Sequence, residues 1–480
     1  NKIPKAIRLP TGLGKTSVIH VWLLALAYQV EQNDVSLPRR LVYIVNRRTV
    51  VDQATSEIEK LIERINSNCL ASVKANLSKL SAFGGDFPLV VSTLRGQFAD
   101  NAQWRADPSR PSVVVGTVDM IGSRLLFSGY GLGMRSRPLH AGLLGQDSWV
   151  LHDESHLEPA FQALLDSIET TQKNNNDLKK MCITALSATL RKEDDRQNDS
   201  FTLDSEDLAD SVVMQRLKAK KSMHFHHVSK EDEFPEKAVS LALSFQNTGK
   251  NVLIYSQKVE NVLKIQELLK KQKCKVCVLT GTIRGYERDK MVAEDEVFAR
   301  FLPNSKTGAS TEAAYLVCTS AGEVGINISA DHMICDLTPF DSMAQRLGRV
   351  NRFGDGDAHI DVIVWNTEKS TSELQNQETA EQQETPQEET LKEEKPEKET
   401  NDKKDKTNPF VMAVKKTYEL FQKLPRIGDE EYDASLLAID NLDAEEKKNA
   451  FSPCPDILQS TEILFDAWAC TTIKNLLPGA

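Results

Sequence analysis

A chain of 480 residues with a formal net charge of −10, 40% hydrophobic and 27% charged residues, has the composition of a soluble globular protein of two or three domains. No apolar run reaches the ~20 residues that span a bilayer, so no membrane partner is expected. The eight scattered cysteines do not form a disulfide framework, which points to a reducing, cytoplasmic setting. Charge is placed unevenly: residues 368–406 hold 13 acidic and 7 basic side chains, leaving −4 for all the rest, so a basic cleft for nucleic acid stays open. The chain opens on Asn1, enters its first strand almost at once and shows no signal peptide; it is expected to be a fragment.

The first element is a short apolar run, Ala6 to Leu9, followed by Pro10-Thr11-Gly12-Leu13-Gly14-Lys15-Thr16 and an apolar helical run from Val18 to Val30. Strand, glycine loop and helix together form the context of a phosphate-binding loop. Gly12 and Gly14 let backbone N–H groups approach phosphate oxygens, Lys15 would reach the β- and γ-phosphates, and the Thr16 hydroxyl would hold Mg²⁺. Short Val/Ile/Leu-rich runs follow near Leu41–Val45, Leu89–Ser92, Val113–Gly116, Trp149–His152 and Met181–Leu186, with helical stretches such as Thr49–Ile65 and Pro159–Thr171 between them. Their lack of polar alternation predicts a parallel sheet covered on both faces, in a doubly wound α/β domain ending near residue 220. A second set (Val252–Tyr255, Val276–Leu279, Tyr315–Thr319, Met333–Asp336, Ile360–Trp365, with the helical Glu260–Lys271) predicts a second α/β domain over 221–367 that has no phosphate loop of its own. Residues 368–407 are almost all Glu, Lys, Gln, Thr, Asn and Pro, a linker composition with no core-forming capacity. A small C-terminal helical segment, 408–480, closes the chain with Phe410–Leu424 and an amphipathic Ile457–Leu477.

Acidic and basic clusters fall at the carboxyl ends of these strands, where ligands bind in open α/β sheets. Asp153 and Glu154 follow a buried strand; Asp153 can hold Mg²⁺ and Glu154 can accept a proton from an attacking water. His156, two residues on, suits a link between the nucleotide site and the second domain, and Ser187-Ala188-Thr189 follows the next strand. Gln345-Arg346-Leu347-Gly348-Arg349-Val350-Asn351-Arg352 would place Arg349 and Arg352, three apart, on one face if the stretch is helical, suited to reach a γ-phosphate, with Gln345 near the attacking water. Small residues from Thr319 through Glu323 and Gly325 allow close approach to a nucleotide and to a nucleic-acid backbone. Arg47, Arg48, Thr93, Arg95, Gly96 and Thr117 are candidate contacts to phosphodiesters. Cys274 and Cys277 would point to opposite faces of a strand, and His224, His226 and His227 lack a nearby acidic or Cys partner in the sequence; neither set is expected to bind metal.

Taken in order, P-T-G-x-G-K-T, D-E-x-H, S-A-T and Q-R-x-G-R-x-x-R resemble a superfamily 2 helicase, whose phosphate loop does without the Gly that stricter patterns place at Leu9. Asn46 to Gln53, Ser92 to Gly96, Gly116 to Met120 and Gln345 to Gly354 narrow the resemblance to the CRISPR-associated helicase–nuclease of type I systems. Ser452-Pro453 and Leu464 to Ala469 are similar to the branch in which helicase precedes nuclease. This resemblance implies two tandem RecA-like domains with ATP and Mg²⁺ between them. It further implies a 3′-to-5′ motor on single-stranded DNA, recruited to a CRISPR surveillance complex. Lys15 and Thr16 would bind phosphate and Mg²⁺, Asp153 Mg²⁺, Glu154 would be the base, and Arg349 and Arg352 the arginine fingers; His156, Ser187 and Thr189 would couple hydrolysis to movement. The family's HD nuclease is not expected in this chain, because its one His-Asp dipeptide, His152-Asp153, lies in the helicase motif; a separate domain or subunit would supply it. A superfamily 2 RNA helicase and an ATP-gated clamp that does not unwind are the alternatives.

Overall fold

The computed structural model describes residues 2–454, apart from 11, 47, 68–69, 84–87, 95–100, 130–131, 188–198, 282, 284–286, 288–289, 292–293, 304–310, 324–326, 366–407 and the side chains of 48–50 and 52–53. The expected Ile457–Leu477 helix therefore lies outside the described residues.

Two sheets organise the chain. The first contains β1 (Ala6–Arg8), β2 (Arg40–Val45), β3 (Val90–Leu94), β4 (Ser112–Thr117), β5 (Ser148–Asp153), β6 (Cys182–Ser187) and β7 (Ser200–Thr202). Their order is β3-β4-β2-β5-β6-β1-β7, and every pairing is parallel. All six residues of β2 are buried, because side chains alternate between two covered faces. Leu41, Tyr43 and Val45 join one core with Trp22 and Leu26 of the Val18–Glu31 helix; Val42 and Ile44 join the opposite core with Ile121 and Phe161.

The second sheet contains β8 (Lys221–Val228), β9 (Asn251–Tyr255), β10 (Lys275–Leu279), β11 (Ala314–Cys318), β12 (His332–Asp336) and β13 (Ala358–Trp365), again parallel. The same alternation recurs: Leu253 and Tyr255 face one core, Val252 and Ile254 the other. Cys277 packs in the first of these cores and Cys274 against the second, on opposite faces as its strand position predicts. The chain passes between sheets through a short helix, Ser211–Leu217, whose first turn is capped by Asp210 accepting from the N–H groups of Val212 and Val213 at 2.9 Å.

The C-terminal residues are more than helices. After the Pro409–Phe421 helix comes a hairpin, β14 (Arg426–Gly428) and β15 (Glu431–Asp433), and β15 pairs antiparallel with β8, with Tyr432 opposite Met223. Leu420, Phe421, Tyr432, Ala450 and Phe451 fill the same core as β9–β13. Strands this short carry no readable alternation, so only the pairing partner reveals them. No helix among the described residues is long and apolar enough to cross a membrane.

Candidate active site

Parallel strands bring their carboxyl-end loops to one edge of each sheet, and the two edges face each other. On the first sheet, the loop after β1 turns through Gly12 (φ 96°) and Gly14 (φ 84°) into a short 3₁₀ turn, Lys15–Ser17, that opens the Val18–Glu31 helix. A side chain on Gly12 is disfavoured by its φ, which suits glycine, and by crowding, since a Cβ there would lie 3.2 Å from Nε of Arg352, which comes from the second domain. Leu13 and Thr16 lie in this loop; Thr11 is outside the described residues.

Lys15 Nζ donates to Glu154 Oε1 at 3.0 Å. Glu154 follows β5 with φ 49°, a left-handed backbone uncommon for a non-glycine residue, and this aims its carboxylate back at the phosphate loop. Asp153, at the last position of β5, accepts from Tyr43 Oη at 2.6 Å. The two carboxylates titrate apart. Burial and the neighbouring Glu154 push Asp153 above the ordinary carboxylate range. Burial would also raise Glu154, but Lys15, His156 and Arg349 together outweigh it and hold Glu154 low. Glu154 Oε2 is buried and accepts no hydrogen bond from the described residues, with His156 Nδ1 at 3.5 Å. Such an atom costs stability unless a further donor or cation meets it, and the acidic pair beside a lysine fits Mg²⁺ and nucleotide phosphates.

His156 lies where the sheets meet. Its Nδ1 is 2.9 Å from Ser187 Oγ and 3.5 Å from Glu154 Oε2, and its Nε2 is 3.4 Å from Gln345 Nε2 of the second sheet. Gln345, expected beside the attacking water, meets His156 across the two sheets. Thr189 lies outside the described residues.

The three arginines of the Gln345–Arg352 stretch divide by environment. Arg346, on the Phe340–Leu347 helix, is buried and bonds Glu323 Oε1 and Asp336 Oδ1 at 2.7 Å each and the Asp336 carbonyl at 2.9 Å. Burial opposes its charge, but those carboxylates raise its pKa further. Arg349 donates from Nε and Nη2 to the Glu323 carbonyl at 3.1 and 2.8 Å. Burial lowers its pKa, offset in part by Tyr255, Glu154, Glu323 and Asp153. Arg352 bonds Asn327 Oδ1 and covers Gly12; burial first, then Arg349 and Arg216, lower it to about 10. Glu323, expected to contact nucleotide, accepts from Arg346 and Ser342 through its carboxylate and from Arg349 through its carbonyl. Gly325 lies outside the described residues.

Asn351 (φ 42°) donates Nδ2 to the carbonyls of Lys220 and Gly356, which fixes the turn that carries Arg352. Arg216, on the linker helix, had no signal in the sequence. It donates to the Gly12 carbonyl at 2.9 Å and lies over the Phe353 ring, 5.7 Å from its centroid.

Three of the hydroxyls expected to contact nucleic acid also make contacts within the protein. Thr93 Oγ1 is 3.0 Å from Thr55 Oγ1, Thr117 caps the Val118–Leu125 helix and Thr319 caps the turn Ser320–Gly322. Arg47, Arg95 and Gly96, and the side chain of Arg48, are outside the described residues. His226 and His224 do have acidic partners, Asp361 at 2.7 Å and Glu431 at 3.7 Å, supplied by strands distant in sequence. Among the described residues no group of three or more His, Cys, Asp or Glu could hold a metal ion.

Comparison with known proteins gives this geometry a family. Residues 248–355 match the model for the C-terminal part of the CRISPR-associated nuclease/helicase Cas3, and residues 2–192 match the Type III restriction enzyme res subunit. The two matches together support a Cas3-type superfamily 2 helicase portion. Membership in this superfamily implies ATP use. No curated protein matches the chain in sequence. The DUF1998 helicase MrfA bound to DNA and AMPPNP shares the fold at 13% identity and a TM-score of 0.53, covering 92% of this chain and 59% of its own. S. cerevisiae Dbp5 bound to RNA and ADP BeF3 aligns at 16% identity and a TM-score of 0.45, covering 78% of this chain and 82% of its own. The two parallel sheets are tandem RecA-like domains.

Proposed function

We propose that this helicase is an ATP-driven motor moving 3′-to-5′ along single-stranded DNA, recruited in the cytoplasm to a CRISPR type I surveillance complex in antiviral defence. The observation that carries the reading is the convergence on one cleft of Lys15, Glu154 and His156 from one sheet with Gln345, Arg349 and Arg352 from the other. A site split across two sheets can change shape with nucleotide state, which is what stepping needs.

Thr11 to Thr16 would cradle the phosphates, and Thr16 with Asp153 would hold Mg²⁺, which when bound offsets phosphate charge. Lys15 donates to Glu154 at 3.0 Å. A nucleotide phosphate competing for Lys15 would release Glu154 to take the proton of the attacking water. Arg349 and Arg352 would stabilise charge developing on the γ-phosphate. His156, with Ser187 and Thr189, would pass closure to the strand edges where Arg47, Arg48, Arg95 and Gly96 meet the DNA backbone. Nuclease chemistry is assigned to a separate domain or subunit, since His152 is fully buried and bonded to Gln162 at 2.8 Å.

ATPase rates with and without single-stranded DNA or RNA, in wild type and Glu154→Gln, test the proposal. Stimulation by DNA, with kcat lowered about 10²–10⁴-fold in Glu154→Gln, is expected. Stimulation by RNA alone would replace it with an RNA helicase; stimulated ATPase without strand displacement would replace it with a clamp.

A further inference from the structure

The C-terminal residues do not simply pad the second domain; their last described stretch enters the cleft. Beyond the Ala444–Asn449 helix, the Ala450 carbonyl accepts from Phe340 N–H at 2.9 Å. Ser452 donates from N and Oγ to Asp341 Oδ1 at 2.9 and 2.8 Å. Phe340 and Asp341 open the very helix that carries Gln345 and Arg346. Between these two anchors stands Phe451, 7% exposed, against Phe340 with ring centroids 5.8 Å apart. On its other side it meets His156 of the first sheet edge-to-face, at 6.4 Å between centroids and 80° between planes.

His156 thus has two contacts from the second domain: Gln345 at Nε2 and Phe451 on its ring. An imidazole serves Ser187 through one nitrogen and Gln345 through the other only if its plane is fixed, and an edge-to-face aromatic neighbour fixes a plane. Because Ala450 and Ser452 are bonded to the first turn of the Phe340–Leu347 helix, Phe451 is tied to the helix that leads into the arginine loop.

We propose that Phe451 is a positioning residue for His156, through which the C-terminal module, with whatever is joined to it, makes ATP hydrolysis depend on bound nucleic acid. This rests on the function proposed above. The test uses the full chain and oligodeoxythymidylate, and reads the ratio of stimulated to basal ATPase, which is independent of the fraction folded. In Phe451→Leu the ratio is expected to fall about fivefold while the basal rate stays within about twofold, the size of a contact coupling of this kind. Phe451→Tyr, which keeps the ring, retains the ratio, and Phe451→Leu adds nothing on a His156→Ala background. An unchanged ratio in Phe451→Leu, or additive effects, overturns the inference. Urea unfolding midpoints of the two single variants and the double give a readout that needs no ATPase. If wild type hydrolyses no ATP with either polymer, the proposed function fails, and the midpoints alone decide: non-additivity supports the contact and additivity overturns it.

Discussion

Replacing Arg346 by methionine removes the guanidinium that Glu323 and Asp336 both face. Met fills similar volume, so the loss is electrostatic rather than a cavity. Glu323 keeps the Ser342 hydroxyl at 2.8 Å, and Asp336 keeps the Gln257 N–H at 2.7 Å, but both carboxylates are nearly wholly buried and neither retains a cation. Breaking a buried ion network from one side costs about 3–5 kcal/mol. For a unit the size of the second domain this lowers Tm by on the order of 10 °C, readable by scanning calorimetry. The deficit has a pH signature. Asp336, which burial holds above the ordinary carboxylate range even beside Arg346, rises further in the variant, so stability is lost as pH rises through its folded pKa. The deficit is therefore largest near pH 8 and shrinks toward pH 5. Arg346→Lys recovers only part, because a point charge cannot serve Nε- and Nη1-directed bonds and the Tyr255 face (4.9 Å) together. A Tm within about 2 °C of wild type at pH 8 would refute the reasoning, since that is less than 1 kcal/mol for such a unit.

Two more outcomes are expected. Asp153, raised to about 6 by burial and by Glu154, should make Mg²⁺-dependent ATP binding and hydrolysis fall as pH drops through about 6. In the nucleotide-free protein the same shift acts oppositely: ionising Asp153 in the folded state is unfavourable, so stability is lost as pH rises through its folded pKa. Asp153→Asn should then equal or exceed wild-type Tm at pH 7.5 while losing ATPase; a lower Tm would count against it. Arg216→Ala, which frees the Gly12 carbonyl and leaves Phe353 uncovered, should raise KM for ATP more than it lowers kcat, with partial recovery in Arg216→Lys. A pure kcat loss at unchanged KM would instead put Arg216 in the transition state.

Much of the fold was legible because its signals are local. Continuous Val/Ile/Leu runs marked the strands from β2 to β6 and β9 to β13 to within a residue or two, since parallel strands covered on both faces admit few polar residues. The hairpin of β14 and β15 was not legible, because three-residue strands show no period. The phosphate loop, Asp153 with Glu154, and the Gln345–Arg352 stretch were found as contiguous motifs, each following or opening an element at a predictable edge. The individual duties inside them were not. That Gln345 meets His156 and that Glu323 holds arginines follow only from the folded chain. Thr93, Thr117 and Thr319 turn their hydroxyls to neighbouring backbone or side chain.

The sequence by itself determined the chemistry at hand: glycines where the backbone must turn with positive φ, a lysine after them, paired carboxylates past a buried strand, and arginines three apart. These are set by bonded neighbours and by the period of one element. Only the tertiary structure decided which cation meets which anion. Arg346, Arg349 and Arg352 sit within seven residues, yet one is a buried scaffold, one caps a carbonyl near the acidic pair, and one covers Gly12. His156 and Gln345 meet across 189 positions of sequence, and Phe451 reaches His156 from the far end of the described chain. Burial and Coulomb interactions act through space, so a residue's duty follows from the neighbours that folding delivers to it rather than from those on either side in the chain.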